Sequence, residues 1–270
     1  MDQSFAKRTI AITRSQGRFV QGGASGIGLA IVRALALRGA QVYIADISSN
    51  PPEILTTLQN VHFVGNCDIT SREACRKFID AIPSRLDGLV NCAGICPAED
   101  KIVSDELFAK IIAVNVTGSW NMGTEAIKRM ASQETSLSEG LVPGSQRTLP
   151  AGYIVNITSG AAMRGIANLA AYCTSKHAVL GMTRAWAKDW PSLRINSVAP
   201  GTTDTPLAMG NTVTSGSKEA ISKRVEQFSA RIPLGRVAFD TDIADAVLFM
   251  LSDGASYVTG QVLPVNGGSD

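Results

Sequence analysis

Gly22-Gly23-Ala24-Ser25-Gly26-Ile27-Gly28, running on into an apolar stretch that ends at Leu37, is the part of the chain that decides the fold. Glycines permit tight turning and let a backbone come close to a phosphate. The apolar residues from Ile27 to Leu37 return at helical spacing, so the glycines open a helix whose first N–H groups are free to meet an anion. Upstream, Thr9–Thr13 (TIAIT) is a short β-rich run; downstream, Gln41–Ala45 (QVYIA) is another, and Asp46 follows it. A glycine cluster alone is a weak signal, but a strand, glycines, a helix, a second strand and an acid in that order form a dinucleotide-binding pattern. Asp46 lies eighteen residues beyond Gly28, where a carboxylate bonds both ribose hydroxyls of adenosine and repels a 2′-phosphate. No arginine or lysine stands among residues 22–28 to offset it, so the pattern favours NAD over NADP.

Strand-like and helix-like segments alternate along the rest of the chain. Val61–Val64, Gly88–Val90, Tyr153–Ile157, Ile195–Val198 and Gln261–Val265 read as strands. Ser71–Ile82 reads as a helix capped by Ser71, Glu106–Met130 as a long helix bent near Gly118, and Leu169–Asp189 and Asp242–Leu251 as the last clear helices. Such alternation predicts an α/β fold, a doubly wound parallel sheet with helices on both faces. With no repeat and no linker, residues 1–270 read as a single domain. Residues 132–152, rich in Ser, Gly and Pro, read as an exposed loop. Residues 206–233 carry an amphipathic piece, Lys218–Phe228, and read either as a substrate-covering segment or as a plain surface excursion.

Bulk composition narrows the function classes. Of 270 residues, 45% are hydrophobic and 18% charged, as in a soluble α/β core, and no apolar run approaches a membrane span. A net charge of +2 is too balanced to point to nucleic acid or an acidic membrane surface. The start, MDQSFAKR, lacks an apolar signal core, so a cytoplasmic protein is expected. Five cysteines at scattered spacing argue against a disulfide framework. Cys92 and Cys96, with only His62 and His177 to join them, make reduced buried thiols a better reading than zinc, so no metal is expected.

The chemistry sits near the third quarter of the chain. Tyr172 and Lys176 are four residues apart on a helix and share a face. A phenol with a pKa of about 10 is a poor base at neutrality, and bringing it to about 7 takes roughly 4 kcal/mol. A fixed cation beside it acts in that direction. Ser159 stands thirteen residues before Tyr172, at the end of a strand, where an α/β sheet opens its binding edge. Tyr-x-x-x-Lys is common by chance on helix surfaces; its place beside this serine makes it a proton-transfer device for an alcohol or carbonyl.

Taken together, these residues resemble the short-chain dehydrogenase/reductase family over nearly the whole chain. Glycines 22, 26 and 28 are similar to its nucleotide loop, Asp68 to the acid that contacts adenine, and Asn91-Cys92-Ala93-Gly94 to its Asn-Asn-Ala-Gly turn, with Cys92 in place of the second asparagine. Asn115, Ser159, Tyr172 and Lys176 resemble its catalytic tetrad, and Asn196–Thr205, with Pro200-Gly201, the segment that holds the nicotinamide amide. Gly260-Gln261-Val262 and Asn266-Gly267-Gly268 also fit. The resemblance implies a Rossmann-type fold. It also implies cofactor contacts from Gly22, Ser25, Gly26, Ile27, Gly28, Asp46, Asp68, Asn91, Ala93, Gly94, Tyr172, Lys176, Pro200, Gly201 and Thr205.

The implied reaction is hydride transfer between a secondary alcohol, or its ketone, and a nicotinamide cofactor. Tyr172 exchanges the proton, Lys176 holds the nicotinamide ribose and lowers the Tyr172 pKa, Ser159 orients the substrate oxygen, and Asn115 supports a water-linked proton path. Ile95, Cys96, residues 160–164 and residues 207–209 are expected to line a pocket for a small apolar or cyclic substrate, with Arg164 either touching a polar group or facing solvent. A homotetramer is expected. An NADP-dependent carbonyl reductase and a non-catalytic relative are the competing readings.

One departure stands out. In the family the first strand runs directly into the glycine loop, usually through a threonine. Here Ala6–Thr13 already fits that strand, and Arg14–Gln21 (RSQGRFVQ) intervenes as an eight-residue insertion. The competing alignment makes Gly17–Val20 the strand, but that run is short and polar for a central one. The insertion either bulges outward or disturbs the loop, for example by displacing Gly22 or bringing Arg18 to the phosphates, and weaker dinucleotide binding is expected from it.

Overall fold

The computed structural model describes residues 5–14, 26–135, 137–139, 142–205 and 218–269. Seven strands form one sheet: β1 (Thr9–Arg14), β2 (Gln41–Asp46), β3 (Val61–Val64), β4 (Gly88–Asn91), β7 (Gly152–Ile157), β8 (Leu193–Pro200) and β9 (Val262–Val265). Their spatial order is β3-β2-β1-β4-β7-β8-β9, every pairing parallel. Chain order reverses between β1 and β4, which creates a crevice at the C-terminal ends of the strands, where ligands bind in such sheets.

The strands alternate between two buried layers because both faces are covered. Ile10 and Ile12 of β1 pack with α1 (Ile27–Leu37) and with Ile243, Val247, Leu248 and Leu251 of α7 (Asp240–Leu251). Ala11 points the other way, into a layer with Phe78 and Ile79 of α2 (Arg72–Asp80), Met122 and Met130 of α4 (Ser119–Ala131), and Trp186 of α5 (Ala170–Asp189). Doubly covered strands read as nearly continuous apolar runs, which is why TIAIT and YIVNI are so plain in the sequence. Ser71 caps α2 as expected, its hydroxyl accepting from Ala74 N at 3.3 Å.

β1 lies between β2 and β4 in the sheet. It is Thr9–Arg14, buried at every position and paired on both sides, and the Thr13 hydroxyl accepts from Cys92 N at 3.0 Å and Ala93 N at 3.1 Å. Arg14, read from sequence as the first residue of the insertion, is the last residue of this strand. Gly22 and Ser25 lie outside the described residues, as do residues 15–21.

The long helix expected over Glu106–Met130 is three pieces: α3 (Asp105–Ile112), a π turn at Ala113–Gly118, and α4. The interruption falls where the bend was expected. Gly118 passes so close to the β3–α2 connection that a Cβ there would lie 2.5 Å from Ile69 Cδ1. The wider turn leaves Asn115 buried, and such turns recur at functional sites. Within 132–152 the chain forms a small antiparallel hairpin, β5 (Leu137–Glu139) with β6 (Gln146–Thr148). Of the segment 206–233, residues 206–217 lie outside the described residues, and Lys218–Ser229 forms α6. Among the described residues no helix is long and apolar enough to cross a membrane.

Candidate active site

The sheet brings Ser159, Tyr172, Lys176 and Asn115 together. β7 ends at Ile157, and two residues later the Ser159 hydroxyl accepts from Ala161 N at 3.2 Å and stands near enough to the Tyr172 phenol to favour its charged form. One turn along α5, Lys176 Nζ lies 5.7 Å from the Tyr172 ring centre and donates to Ile157 O at 3.0 Å. Asn115 closes the fourth side. Its Nδ2 donates to Ile95 O at 2.9 Å and to Ser175 Oγ at 3.0 Å, while its Oδ1 accepts from Ile95 N at 2.8 Å. The side chain therefore fastens the loop after β4 to α5. Gly94 lies between the two polar groups, since a Cβ there would sit 3.3 Å from both Asn115 Oδ1 and Lys176 Nζ.

The electrostatics correct one expectation. The Tyr172 phenol is not drawn down; burial pushes it above its ordinary value, the neighbouring Cys96 and Cys173 thiols add to the rise, and the nearby Ser159 hydroxyl only partly opposes them. Removing a phenolate from water costs more than this surrounding returns. Burial also lowers the Lys176 pKa to about 8, partly offset by Cys92 and Cys96, so its ammonium stays mostly charged at neutral pH. Burial likewise raises the Cys92 and Cys96 thiols to about 11 each, so they stay protonated at neutral pH.

Glu99 is a functional residue that sequence reasoning missed. It is 9% exposed, and its two carboxylate oxygens accept from Ala171 N at 2.9 Å and Tyr172 N at 2.8 Å. It thus satisfies two of the N–H groups that open α5 and fixes the turn that carries the phenol. Its partners are more than seventy residues away, so no local pattern marks it. Glu99→Ala is expected to cost about 2 kcal/mol, since hydrogen bonds to a charged group are worth roughly 1.5–3 kcal/mol. The fall in melting temperature should come with a loss of activity in the folded variant, and an unchanged melting temperature would show that the cap is dispensable.

The residues expected to hold a cofactor occupy the same edge. Gly26 precedes α1 with φ +118°, a conformation open to glycine, and Ile27 and Gly28 begin the helix. Asp46 ends β2 with no exposure; its Oδ1 accepts from Ser48 N at 2.8 Å, and Oδ2 is 3.4 Å from Arg14 Nη1. The acid is thus accompanied by a cation that the glycine loop itself does not contain. Asp68, beyond β3, accepts from Thr70 N at 2.9 Å and Thr70 Oγ1 at 2.8 Å. Ala93 and Gly94 follow β4. Pro200 ends β8, Gly201 packs so tightly that a Cβ would lie 2.7 Å from Asn266 Cα, and Thr205 Oγ1 reaches Thr203 O at 3.5 Å.

Asn91 differs from the others. Its side chain turns into the core, Nδ2 donating to Asn156 Oδ1 at 2.9 Å. Asn156 Nδ2 donates onward to Thr183 Oγ1 at 2.9 Å, and Thr183 Oγ1 is 2.9 Å from both Val179 O and Ser197 Oγ. Thr183 has one hydroxyl proton; with that given to Val179 O, Ser197 must be the donor to Thr183. The Asn91 Nδ2 is committed to this buried line, while its Oδ1 has no hydrogen-bond partner. Cys96 lies with Leu169 beside Ala161, Tyr172 and Cys173, forming an apolar wall next to the phenol. Residues 207–209, also expected there, lie outside the described residues.

A family model described as enoyl-(acyl carrier protein) reductase matches residues 22–270. The match starts where the segment 14–21 ends. The chain is 32% identical to cis-4-hydroxycyclohexanecarboxylate dehydrogenase of Sinomonas cyclohexanicum, over 99% of this chain and 98% of that protein. Its structure is similar to the aldohexose dehydrogenase of Thermoplasma acidophilum, with TM-score 0.80 and 29% identity, covering 99% of this chain and 96% of that one. It is equally similar to levodione reductase, with TM-score 0.80 and 30% identity over 98% of each chain. The chain belongs to the short-chain dehydrogenase/reductase family, enzymes that use a nicotinamide cofactor to interconvert alcohols and ketones.

Proposed function

We propose that the enzyme oxidises a small, largely apolar secondary alcohol, with NAD as its cofactor. The observation that carries this reading is the buried phenol of Tyr172, beside Ser159 and one helical turn from Lys176, at the C-terminal edge of the sheet. The residues fit a nicotinamide nucleoside at this end. Gly94 leaves space beside Lys176 Nζ that a side chain would fill, and Pro200 ends β8 with its carbonyl oxygen 3.8 Å from where a Cβ on Gly160 would lie. Lys176, Asn91 main chain, Ala93, Gly94, Pro200 and Thr205 would hold that part, and Asp46 and Asp68 the adenosine. When bound, the nicotinamide ring supplies the hydride acceptor.

The chain's own residues handle the proton. Ser159 donates to or accepts from the substrate oxygen and fixes it beside the phenol. Tyr172 takes the alcohol proton, for which its raised pKa must fall when a cation comes to rest beside it. Asn115 holds Ile95 and Ser175 in place and so keeps Lys176 at its station. The apolar wall of Cys96, Leu169 and Ala161 supports an apolar substrate, and the relative acting on a hydroxycyclohexane ring supports a cyclic one.

Asp46 supports NAD. Its pairing with Arg14 favours a second reading, an NADP-dependent carbonyl reductase, because a guanidinium beside the acid removes its repulsion of a 2′-phosphate. Initial rates with cyclohexanol and each cofactor separate the two. The NAD reading expects kcat/KM at least tenfold higher with NAD; a reversed preference would establish the reductase instead.

A further inference from the structure

Three landmarks of the dinucleotide cradle are joined by one side chain. Arg14 and Asp46 are direct neighbours across the β1–β2 pairing. The stem of Arg14 crosses the start of α1: a Cβ on Gly28 would lie 3.5 Å from Arg14 Cγ and 3.8 Å from its Cδ. The same point is 3.5 Å from Cys92 Sγ, in the turn after β4. The guanidinium then reaches the acid at the end of β2, with Nη1 3.4 Å from Oδ2. Side-chain exposure is 6% for Arg14 and zero for Asp46, so this is an ion pair removed from water.

In doubly wound sheets the ADP half of a dinucleotide follows this same line, with the pyrophosphate at the helix start and the ribose on the β2 acid. Both cannot be there together. The ribose hydroxyls need the carboxylate oxygen that Arg14 faces, and the arginine stem fills the space at Gly28 where α1 packs on the sheet. The two facing atoms attract as opposite charges without a hydrogen bond between them. Arg18, which the sequence reading brings to the phosphates, lies outside the described residues.

We propose that Arg14 occupies the ADP-ribose part of the dinucleotide site, so that a dinucleotide binds only by opening the Arg14–Asp46 pair. This rests on the proposed use of NAD but concerns a different end of it. Calorimetric titration of NAD and of ADP-ribose into the wild-type enzyme, Arg14→Ala and Arg14→Gln tests it, with thermal unfolding to show that each variant is folded. Both variants are expected to bind both probes at least tenfold more tightly than wild type. Equal or weaker binding by the variants, with clear binding by wild type, would overturn the occupancy while leaving the oxidoreductase reading intact. Absence of binding to all three proteins would overturn both. Should Arg14→Ala fail to fold, Arg14→Gln, which keeps the stem packed on Gly28, decides alone.

Discussion

Tyr172→Phe should lower kcat by about 10³-fold, near 4 kcal/mol of transition-state stabilisation, in line with the range for a positioned acid–base group. The change is confined to one oxygen. The ring keeps its place against Ala161 and Cys173, and Ser159 retains its bond from Ala161 N. Cofactor affinity should stay within about twofold, because the phenol's hydroxyl reaches Ser159 and is not part of the fold's ladder. The expected split is therefore lost turnover with preserved binding and an unchanged melting temperature. Turnover above about a tenth of wild type would remove Tyr172 from the proton-transfer role.

Lys176→Met should lower kcat/KM by about 10²-fold or more while leaving the protein at least as stable at pH 7. The two effects diverge for a physical reason. Burial lowers the Lys176 pKa from 10.5 to about 8, so holding its ammonium charged costs about 3 kcal/mol in the folded chain. Below pH 8 that penalty is fully present. Between about 8 and 10.5 the unfolded chain binds the extra proton, so this group's contribution makes stability rise with pH through that window. Methionine has no such penalty at any pH, although the bond to Ile157 O is lost. Wild type minus variant, measured by denaturant unfolding at pH 7 and pH 10, should therefore shift in favour of wild type at the higher pH. Taking the difference cancels the raised Cys67 and Cys75 thiols, which oppose it and do not depend on Lys176. A variant clearly less stable at pH 7 would make Lys176 a structural residue.

Much of this site was readable before any coordinates. The strands announced themselves as apolar runs because both sheet faces are covered, and α1 because its apolar side returns every turn. Ser159, Tyr172 and Lys176 were legible because a strand end and a helix face are local features. What was hidden depends on distance along the chain. Glu99 meets α5 from a loop with no pattern of its own, and Arg14 meets Asp46 across thirty-two residues. The Asn91 side chain donates to Asn156, sixty-five residues away. The reversed Tyr172 shift has the same origin, since sequence displays the neighbouring charge but not the depth of burial that outweighs it.

Asn91, Asn156 and Ser197 also face one another directly on three adjacent strands, with Thr183 of α5 joining the last two. Sliding β4 past β7 by two residues, the smallest shift that keeps each side chain on its own face, would set Leu89 or Ala93 against Asn156. Each amide or hydroxyl stranded in this way costs about 1–3 kcal/mol. The catalytic edge is thus keyed against shear: apolar strands that could otherwise glide are held at the one offset that brings Ser159 to the phenol.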